Sequence, residues 1–367
     1  DCPSSGRGMA LYASCIILNK IISKELIHLQ VQRSMQYCYP SVNRSCVKEM
    51  WASEVSVVLY TFSISAVLIT VLGNLVVIVS FSHFKQLHTP SNLLVLSLAV
   101  ADFFVGIFSM PLKLLAIIES CWYFGDMLCF IHIFISFLLT SVSLSNLVFI
   151  AVDRYVAVCD PLLYSAKITI PLVGIFILCS WVSSVVYTWA ILYFKGMLFT
   201  YETENSCIGD CGVMYTELWT MVDLLATFIL PCSVMICLYT KIFIVAKRHL
   251  KIINALSREM HRTQKNHSNI SKRSEGKAAK TLGIVISVFL LCWVPYYFCI
   301  IINSYTMTVV PMEIFSIFTC IVYFNSGMNP IIYALFYPWF QKSLKLIITF
   351  KICSPASSLI SMFAEKK

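Results

Sequence analysis

The apolar stretch from Leu218 to Thr240 contains one charged residue, Asp223. A carboxylate near the centre of a membrane-spanning helix costs roughly 2.5–3.5 kcal/mol on insertion scales. Such an acid is normally retained because it faces the wet interior of a helix bundle and serves a function there. Asp223 is therefore a candidate partner for a bound cation. The alternative is a structural acid that hydrogen-bonds to a neighbouring helix.

Two further charged positions lie in apolar segments. Arg154 follows Asp153 near the end of one segment, and an arginine at that depth is costly unless an anion pairs with it. Asp153 and Glu275 are the obvious partners. Asp102 lies inside the segment SLAVADFF, where the ordinary role of a polar residue is hydrogen bonding between helices.

The composition shows what must position these residues. The chain has 367 residues, 59% hydrophobic and 12% charged, whereas a soluble domain carries about 25% charged residues. Segments long enough to cross a bilayer, about 20 residues each, occur seven times: 55–81, 91–117, 127–158, 168–193, 217–244, 278–303 and 311–335. The sequence therefore predicts an all-α membrane protein with a bundle of seven transmembrane helices.

Three parts follow from this division: an extracellular N-terminal segment 1–52, a seven-helix domain 53–335 and a cytoplasmic tail 336–367. Residues 1–34 are interpreted as an extraneous stretch, with Met35 as a plausible natural start. The tail begins with YPWFQKSLKLIITF, whose apolar and basic residues lie on opposite sides of a helix. This pattern predicts a short helix on the membrane surface.

Lysine and arginine indicate the orientation. The segment 241–280 holds eleven basic residues against two glutamates, whereas 201–217 holds four acids and no base. The positive-inside rule places 241–280 and the tail in the cytoplasm and the N-terminus outside. The net charge of +9 thus reflects topology rather than nucleic-acid binding. The sequon at Asn43 lies on the outer side and is expected to be glycosylated.

Short motifs follow one another in order along the spans. They are GNLVVIV, SLAVADFF, DRY, Trp181, Pro231 with Tyr239, FLLCWVP and NPIIY. Together they resemble the rhodopsin-like G protein-coupled receptors. Four longer stretches, HFKQLHTPSN, CWYFG, KAAKTLGIV and NSGMNPIIYALFYPWF, resemble trace amine-associated receptors, and this likeness extends from about Met35 to Phe350.

The resemblance implies roles for residues at the cytoplasmic side and in mid-bundle. Activation and G protein engagement are implied for Asp153, Arg154, Tyr155, Tyr239, Glu275, Asn329, Pro330 and Tyr333. Breaking an Arg154–Glu275 pair would let the sixth helix move outward. A sodium ion is implied among the oxygen-bearing side chains of Asp102, Ser143, Asn325, Ser326 and Asn329. No other cofactor is expected.

The same resemblance accounts for the outer cysteines. It pairs Cys129 with Cys211. It also allows Cys207 to be tied to an N-terminal cysteine, either Cys38 or Cys46, with Cys121 available to the other one. Sequence alone leaves that connectivity open.

One position departs from the family pattern. Most amine receptors hold the ammonium with an Asp eighteen residues before the Arg of DRY, where this chain has Ser136. A subset of fish trace amine receptors carries the acid on the fifth helix instead, and Asp223 lies at that position. The residues expected to contact ligand are therefore Asp223, Ser136, Phe137, Thr140, Trp293, Tyr296, Tyr297 and Tyr323.

The function that the resemblance implies is an olfactory-type receptor in the plasma membrane for a small extracellular amine. A stimulatory G protein would raise cyclic AMP, with arrestin and a receptor kinase as further partners and lipid around the helices. The alternative is a receptor for a non-amine ligand in which Asp223 is structural. No HExxH, GxSxG or paired-carboxylate motif indicates an enzyme.

Lys113 near the outer end of the second span either snorkels outward or faces the pocket, where it would disfavour diamines.

Overall fold

The computed structural model describes residues 36–48, 51–194, 207–212, 217–260, 269–306, 310–354 and 357–362. The stretch 1–34 and Met35 lie outside the described residues. The helix Asn269–Tyr305 is described, but its side chains are described only from residue 283 onward, so the predicted role of Glu275 is not addressed.

Seven helical spans are long and apolar enough to cross a bilayer. From first to seventh they are Ser53–His83, Pro90–Glu119, Gly125–Cys159, Ile170–Phe194, Leu218–Arg248, Gly283–Tyr305 and Glu313–Phe336. The fifth, sixth and seventh belong to the longer helical stretches Glu217–Met260, Asn269–Tyr305 and Met312–Phe336. The predicted all-α seven-helix class is confirmed.

The spans pack as a bundle with the third at its centre. The third span contacts the second, fourth and fifth, while the first packs between the second and the seventh. Large apolar side chains such as Val57, Leu178 and Leu291 remain more than half exposed on the outside. That surface suits lipid, whose tails are as apolar as the side chains they meet.

Two spans contain a π-helical turn just before a proline. Val105–Ser109 precedes Pro111, and Leu225–Ile229 precedes Pro231. A proline has no amide hydrogen and its ring collides with the carbonyl four residues earlier, so the helix must adjust there. Such wide turns are frequent at functional sites. The second one begins two residues after Asp223.

Two short strands and three disulfides form a cap on the predicted outer side. Strand β1, Gln36–Tyr37, pairs antiparallel with strand β2, Val47–Lys48. Disulfides join Cys38 to Cys121, Cys46 to Cys207 and Cys129 to Cys211. The N-terminal segment is thereby tied to the end of the second span and to the loop between the fourth and fifth spans, which contains Cys207 and Cys211 and is called the second outer loop.

The opposite end carries the expected short helix, Pro338–Ile348. Trp339, Phe340 and Leu346 are buried against Phe84 and Tyr333. Residues 357–362 continue this packing: the Ser357 hydroxyl lies 2.9 Å from His83 Nε2, and Met362 is buried in the same cluster.

Candidate ligand-binding site

A cavity of about 600 Å³ opens between the spans beneath the second outer loop. Its volume falls within the range of small-molecule sites. All eight residues expected to contact ligand line it: Ser136, Phe137, Thr140, Asp223, Trp293, Tyr296, Tyr297 and Tyr323. The fold thus brings them together from four different spans, and their contact with a ligand stays a prediction.

Asp223 faces this cavity and is 7% exposed. The Tyr187 hydroxyl on the fourth span donates to Asp223 Oδ1 at 2.5 Å. Within its own helix, Thr227 Oγ1 donates to the Asp223 carbonyl oxygen at 2.7 Å, across the wide turn. The Tyr187 bond holds the carboxylate at the cavity wall rather than toward lipid, whereas the Thr227 bond engages only the main chain.

Aromatic rings from the sixth span form the wall beside Asp223. The Trp293 ring centroid lies 5.7 Å from that of Phe289 and 5.8 Å from that of Tyr297. The Tyr297 and Thr227 hydroxyl oxygens lie 2.5 Å apart, which links this wall to the fifth span. Aromatic faces attract ammonium groups by about 0.5–2 kcal/mol, depending on desolvation.

The third span supplies the opposite, uncharged wall. Ser136, Phe137 and Thr140 line the cavity there. Among the described lining residues, the only acids are Asp223 and Asp210. Asp210 belongs to the outer loop and is solvent-exposed, so Asp223 is the acid that lies at pocket depth.

Lys113 also lines the cavity. It is partly buried and lies close enough to Asp210, His132 and Cys320 to interact with them electrostatically. The lysine was expected either to snorkel outward or to face the pocket, and the structure shows that it faces the pocket.

Glu119, the last residue of the second span, pairs with the N-terminal cap. Lys48 Nζ on β2 lies 2.8 Å from Glu119 Oε2, and the Tyr60 hydroxyl donates to Oε1. The hydrogen bond to Glu119 raises the pKa of Lys48 above its ordinary value. This pair fixes the cap onto the second span.

Below the cavity, Asp102 is 1% exposed and accepts two hydrogen bonds. Ser143 Oγ donates to Oδ1 at 3.1 Å, and Asn329 Nδ2 donates to Oδ2 at 2.7 Å. Ser143, Asn325, Ser326 and Asn329 all border the inner end of the cavity. Of the five residues named for a sodium site, Asp102, Ser143 and Asn329 are thus in direct contact, and Asn325 and Ser326 line the same cavity.

At the end of the bundle opposite the disulfides, Arg154 is held by the acid next to it in sequence. Arg154 Nε donates to Asp153 Oδ2 at 2.8 Å, while Ser91 Oγ and the Tyr164 hydroxyl also donate to this carboxylate. Tyr239 Oη is buried without a hydrogen-bond partner among the described residues. Tyr333 is buried beneath the surface helix.

The disulfides decide how the loop covers the cavity. Cys211 is bonded to Cys129 at the head of the third span, which places Asp210 and Cys211 at the cavity wall. The open alternatives are resolved as Cys46–Cys207 and Cys38–Cys121.

Comparison with known proteins decides the family. Residues 73–333 match the family "7 transmembrane receptor (rhodopsin family)". The zebrafish (Danio rerio) trace amine-associated receptor 13c is 45% identical over 334 residues, covering 89% of this chain and 96% of that protein. The chain belongs to the trace amine-associated receptors. The Macaca mulatta trace amine-associated receptor 1 is 40% identical over 335 residues, which cover 90% of this chain and 99% of that protein. The Rattus norvegicus trace amine-associated receptor 7c is 40% identical over 351 residues, which cover 95% of this chain and 97% of that protein.

Membership of this family makes the chain a receptor and not an enzyme. Its cavity contains residues that the sequence did not single out: Tyr187, His132 and Thr227. Tyr187 carried one usable signal, since a tyrosine hydroxyl in an apolar span needs a polar partner when buried. Nothing in the sequence indicated which helix would supply that partner.

Proposed function

We propose that this trace amine-associated receptor binds a small extracellular amine whose ammonium pairs with Asp223. The observation that carries the proposal is the carboxylate itself: it is 7% exposed, oriented by Tyr187 and directed to a cavity with aromatic walls. A buried charge is tolerated when it is paired and hydrogen-bonded, and a ligand ammonium completes that arrangement.

Ser136 supports the same binding mode. A neutral hydroxyl on the third span cannot compensate a cation, whereas the fifth-span acid can. We therefore infer that this chain resembles the fish-type subset in which the amine docks from the fifth helix. The relatives' names, which refer to trace amines, agree with the ligand class.

The signalling part of the proposal concerns the cytoplasmic face. Ligand that prefers the active arrangement shifts the receptor toward it. We infer that this frees Arg154 from Asp153 and admits a stimulatory G protein, which raises cyclic AMP. The setting is the plasma membrane, with the N-terminus outside and Asn43 glycosylated, and arrestin and a receptor kinase acting on the cytoplasmic side.

The polar residues around Asp102 also suit a sodium ion. Asp102 supplies a buried carboxylate, and the Ser143 hydroxyl and the Asn329 side-chain amide contact it. Buried charges in proteins are either paired or bound to metal ions. Among the described residues, no cluster of three or more His, Cys, Asp or Glu indicates a transition-metal site.

The decisive experiment compares wild type with Asp223→Asn, which keeps shape and removes charge. An amine panel is applied to purified receptor, and the ligand-induced rise in melting temperature is measured, because it does not depend on the G protein. Leaving a charged group unpaired in a buried site costs about 3–5 kcal/mol, so affinity should fall by at least about a hundredfold. A cyclic AMP reporter in cells tests the coupling separately.

Asp126→Asn is the matched control, because Asp126 is an exposed acid at the start of the third span and does not line the cavity. It should bind amines as wild type does. Unchanged amine affinity in Asp223→Asn, or equal binding of neutral analogues of the same shape, would instead support the non-amine alternative with a structural Asp223.

A further inference from the structure

The cavity contains a cation as well as an acid. Lys113 comes from the second span and Asp223 from the fifth, and both line the same chamber. In the described part of the chain, no ion pair within 4.0 Å engages the Lys113 ammonium. A lysine inside a membrane bundle is expensive and marks a functional site by default.

His132 lies beside this lysine on the third span, one helical turn before Ser136. It is 5% exposed, lines the cavity, and interacts electrostatically with Lys113. Its Nδ1 atom is buried and has no hydrogen-bond partner among the described residues. A buried polar atom without a partner is unusual in proteins and calls for a ligand, ion or water.

The outer-loop acid Asp210 does not complete the site. Asp210 interacts with the ammonium over a distance longer than an ion pair, and it is solvent-exposed in the outer loop. Exposed charges are screened by water and salt. Among the described residues, no acid therefore lies within ion-pair distance of the Lys113 ammonium on the side that faces the chamber.

We propose that Lys113 and His132 form an anion-binding subsite, so that the ligand is an amine that also carries a carboxylate. This inference rests on the proposed function, since the ammonium of the same molecule pairs with Asp223. The two charged ends of the ligand match a cavity that is negative at the fifth helix and positive at the second. A diamine is disfavoured because its second ammonium would meet Lys113.

The test uses purified full-length receptor and linear ω-amino acids of increasing length. For each length, the monoamine without the carboxylate, the diamine and the neutral amide are compared by shift in melting temperature. Because the ligand carboxylate forms a hydrogen-bonded charge pair with Lys113, one ω-amino acid should bind about tenfold or more tightly than the monoamine of the same length.

Three variants locate the effect. Lys113→Gln should bring the amino acid and the monoamine to equal affinity, and Lys113→Glu should reverse the preference toward the diamine. His132→Phe keeps a ring against Trp122, 5.5 Å away between centroids, and should weaken only the amino acid. Lys48→Gln is the control, because Lys48 is on the same side of the membrane but outside the cavity; the preference should persist.

The outcomes separate the two proposals. If monoamines bind in an Asp223-dependent way but no ω-amino acid binds more tightly, or if the preference survives Lys113→Gln, the anion subsite is wrong and the amine assignment stands. If Asp223→Asn leaves binding unchanged, or if no amine of the panel binds, the proposed function fails and the subsite inference with it.

Discussion

At the scale of single residues, the central feature is a carboxylate whose position depends on a tyrosine from another helix. Tyr187 donates to Asp223 Oδ1 at 2.5 Å, and it also lines the cavity. A hydrogen bond to a charged group contributes more than one between neutral groups, about 1.5–3 kcal/mol. Tyr187 therefore orients Asp223 for an incoming cation and lowers the cost of keeping that charge inside the bundle.

Tyr187→Phe tests this role. The variant removes the hydroxyl and keeps the ring, so the carboxylate loses its donor from the fourth span. Amine affinity should fall by about tenfold or more, measured as a shift in ligand-dependent melting temperature. Tyr193→Phe is the matched control on the same span, because Tyr193 is about half exposed and outside the cavity. An unchanged affinity in Tyr187→Phe would show that the Tyr187 hydroxyl does not orient Asp223 for the ligand.

At the scale of elements, close helix contacts and wide turns set the shape of the cavity. The π turn Leu225–Ile229 adjusts the fifth span between Asp223 and Pro231. Small residues allow spans to approach closely, as is usual in membrane bundles. At Gly73, an added Cβ would lie 2.5 Å from Pro330 Cβ, so the first span touches the seventh directly at its NPIIY motif.

Gly73→Ala should therefore destabilise the bundle. A methyl group at that distance must displace the proline or the helix, and overpacking typically costs about 1–3 kcal/mol. The expected result is a lower melting temperature of the purified receptor and reduced surface expression. Gly174→Ala is the control, since an added Cβ there meets nothing within 4 Å. Equal melting temperatures for the two variants would contradict the close contact between the first and seventh spans.

At the scale of the whole molecule, the N-terminal segment is a structural part of the receptor. Cys38–Cys121 attaches it to the end of the second span, and Cys46–Cys207 attaches it to the second outer loop. Ser45 forms a bridge with Ile208, which continues the contact through the backbone. Because Cys211 in the same loop is bonded to the third span, three crosslinks hold the cavity roof in place.

Peptide mapping under non-reducing conditions tests this connectivity. Trypsin cuts after Arg44, which separates Cys38 from Cys46. A protease that cuts before aspartate separates Cys121 from Cys129 at Asp126, and Cys207 from Cys211 at Asp210. Mass spectrometry should find the Cys38 peptide joined to the Cys121 peptide, and Cys46 to Cys207. A Cys38–Cys207 linkage would contradict the arrangement. Losing either N-terminal crosslink should cost about 2–4 kcal/mol of stability.

The sequence by itself determined the spans, their class and eight of the residues that line the cavity. Seven apolar segments must be helices in lipid, because every backbone polar group has to be satisfied within the segment. Residues such as Trp293 and Tyr297 face inward through helical spacing, so their convergence with Asp223 was predictable from local pattern and family resemblance.

Only the tertiary structure decided which groups meet across the bundle. The Tyr187–Asp223 bond joins residues 36 positions apart on different spans, and the inward direction of Lys113 shows only in the folded bundle, where it lines the cavity together with residues of the third and seventh spans. The choice between Cys38 and Cys46 as partner of Cys207 likewise required the cap to be folded. Such pairings depend on how separate helices rotate and approach one another, and hydrophobic periodicity within one helix carries no information about that.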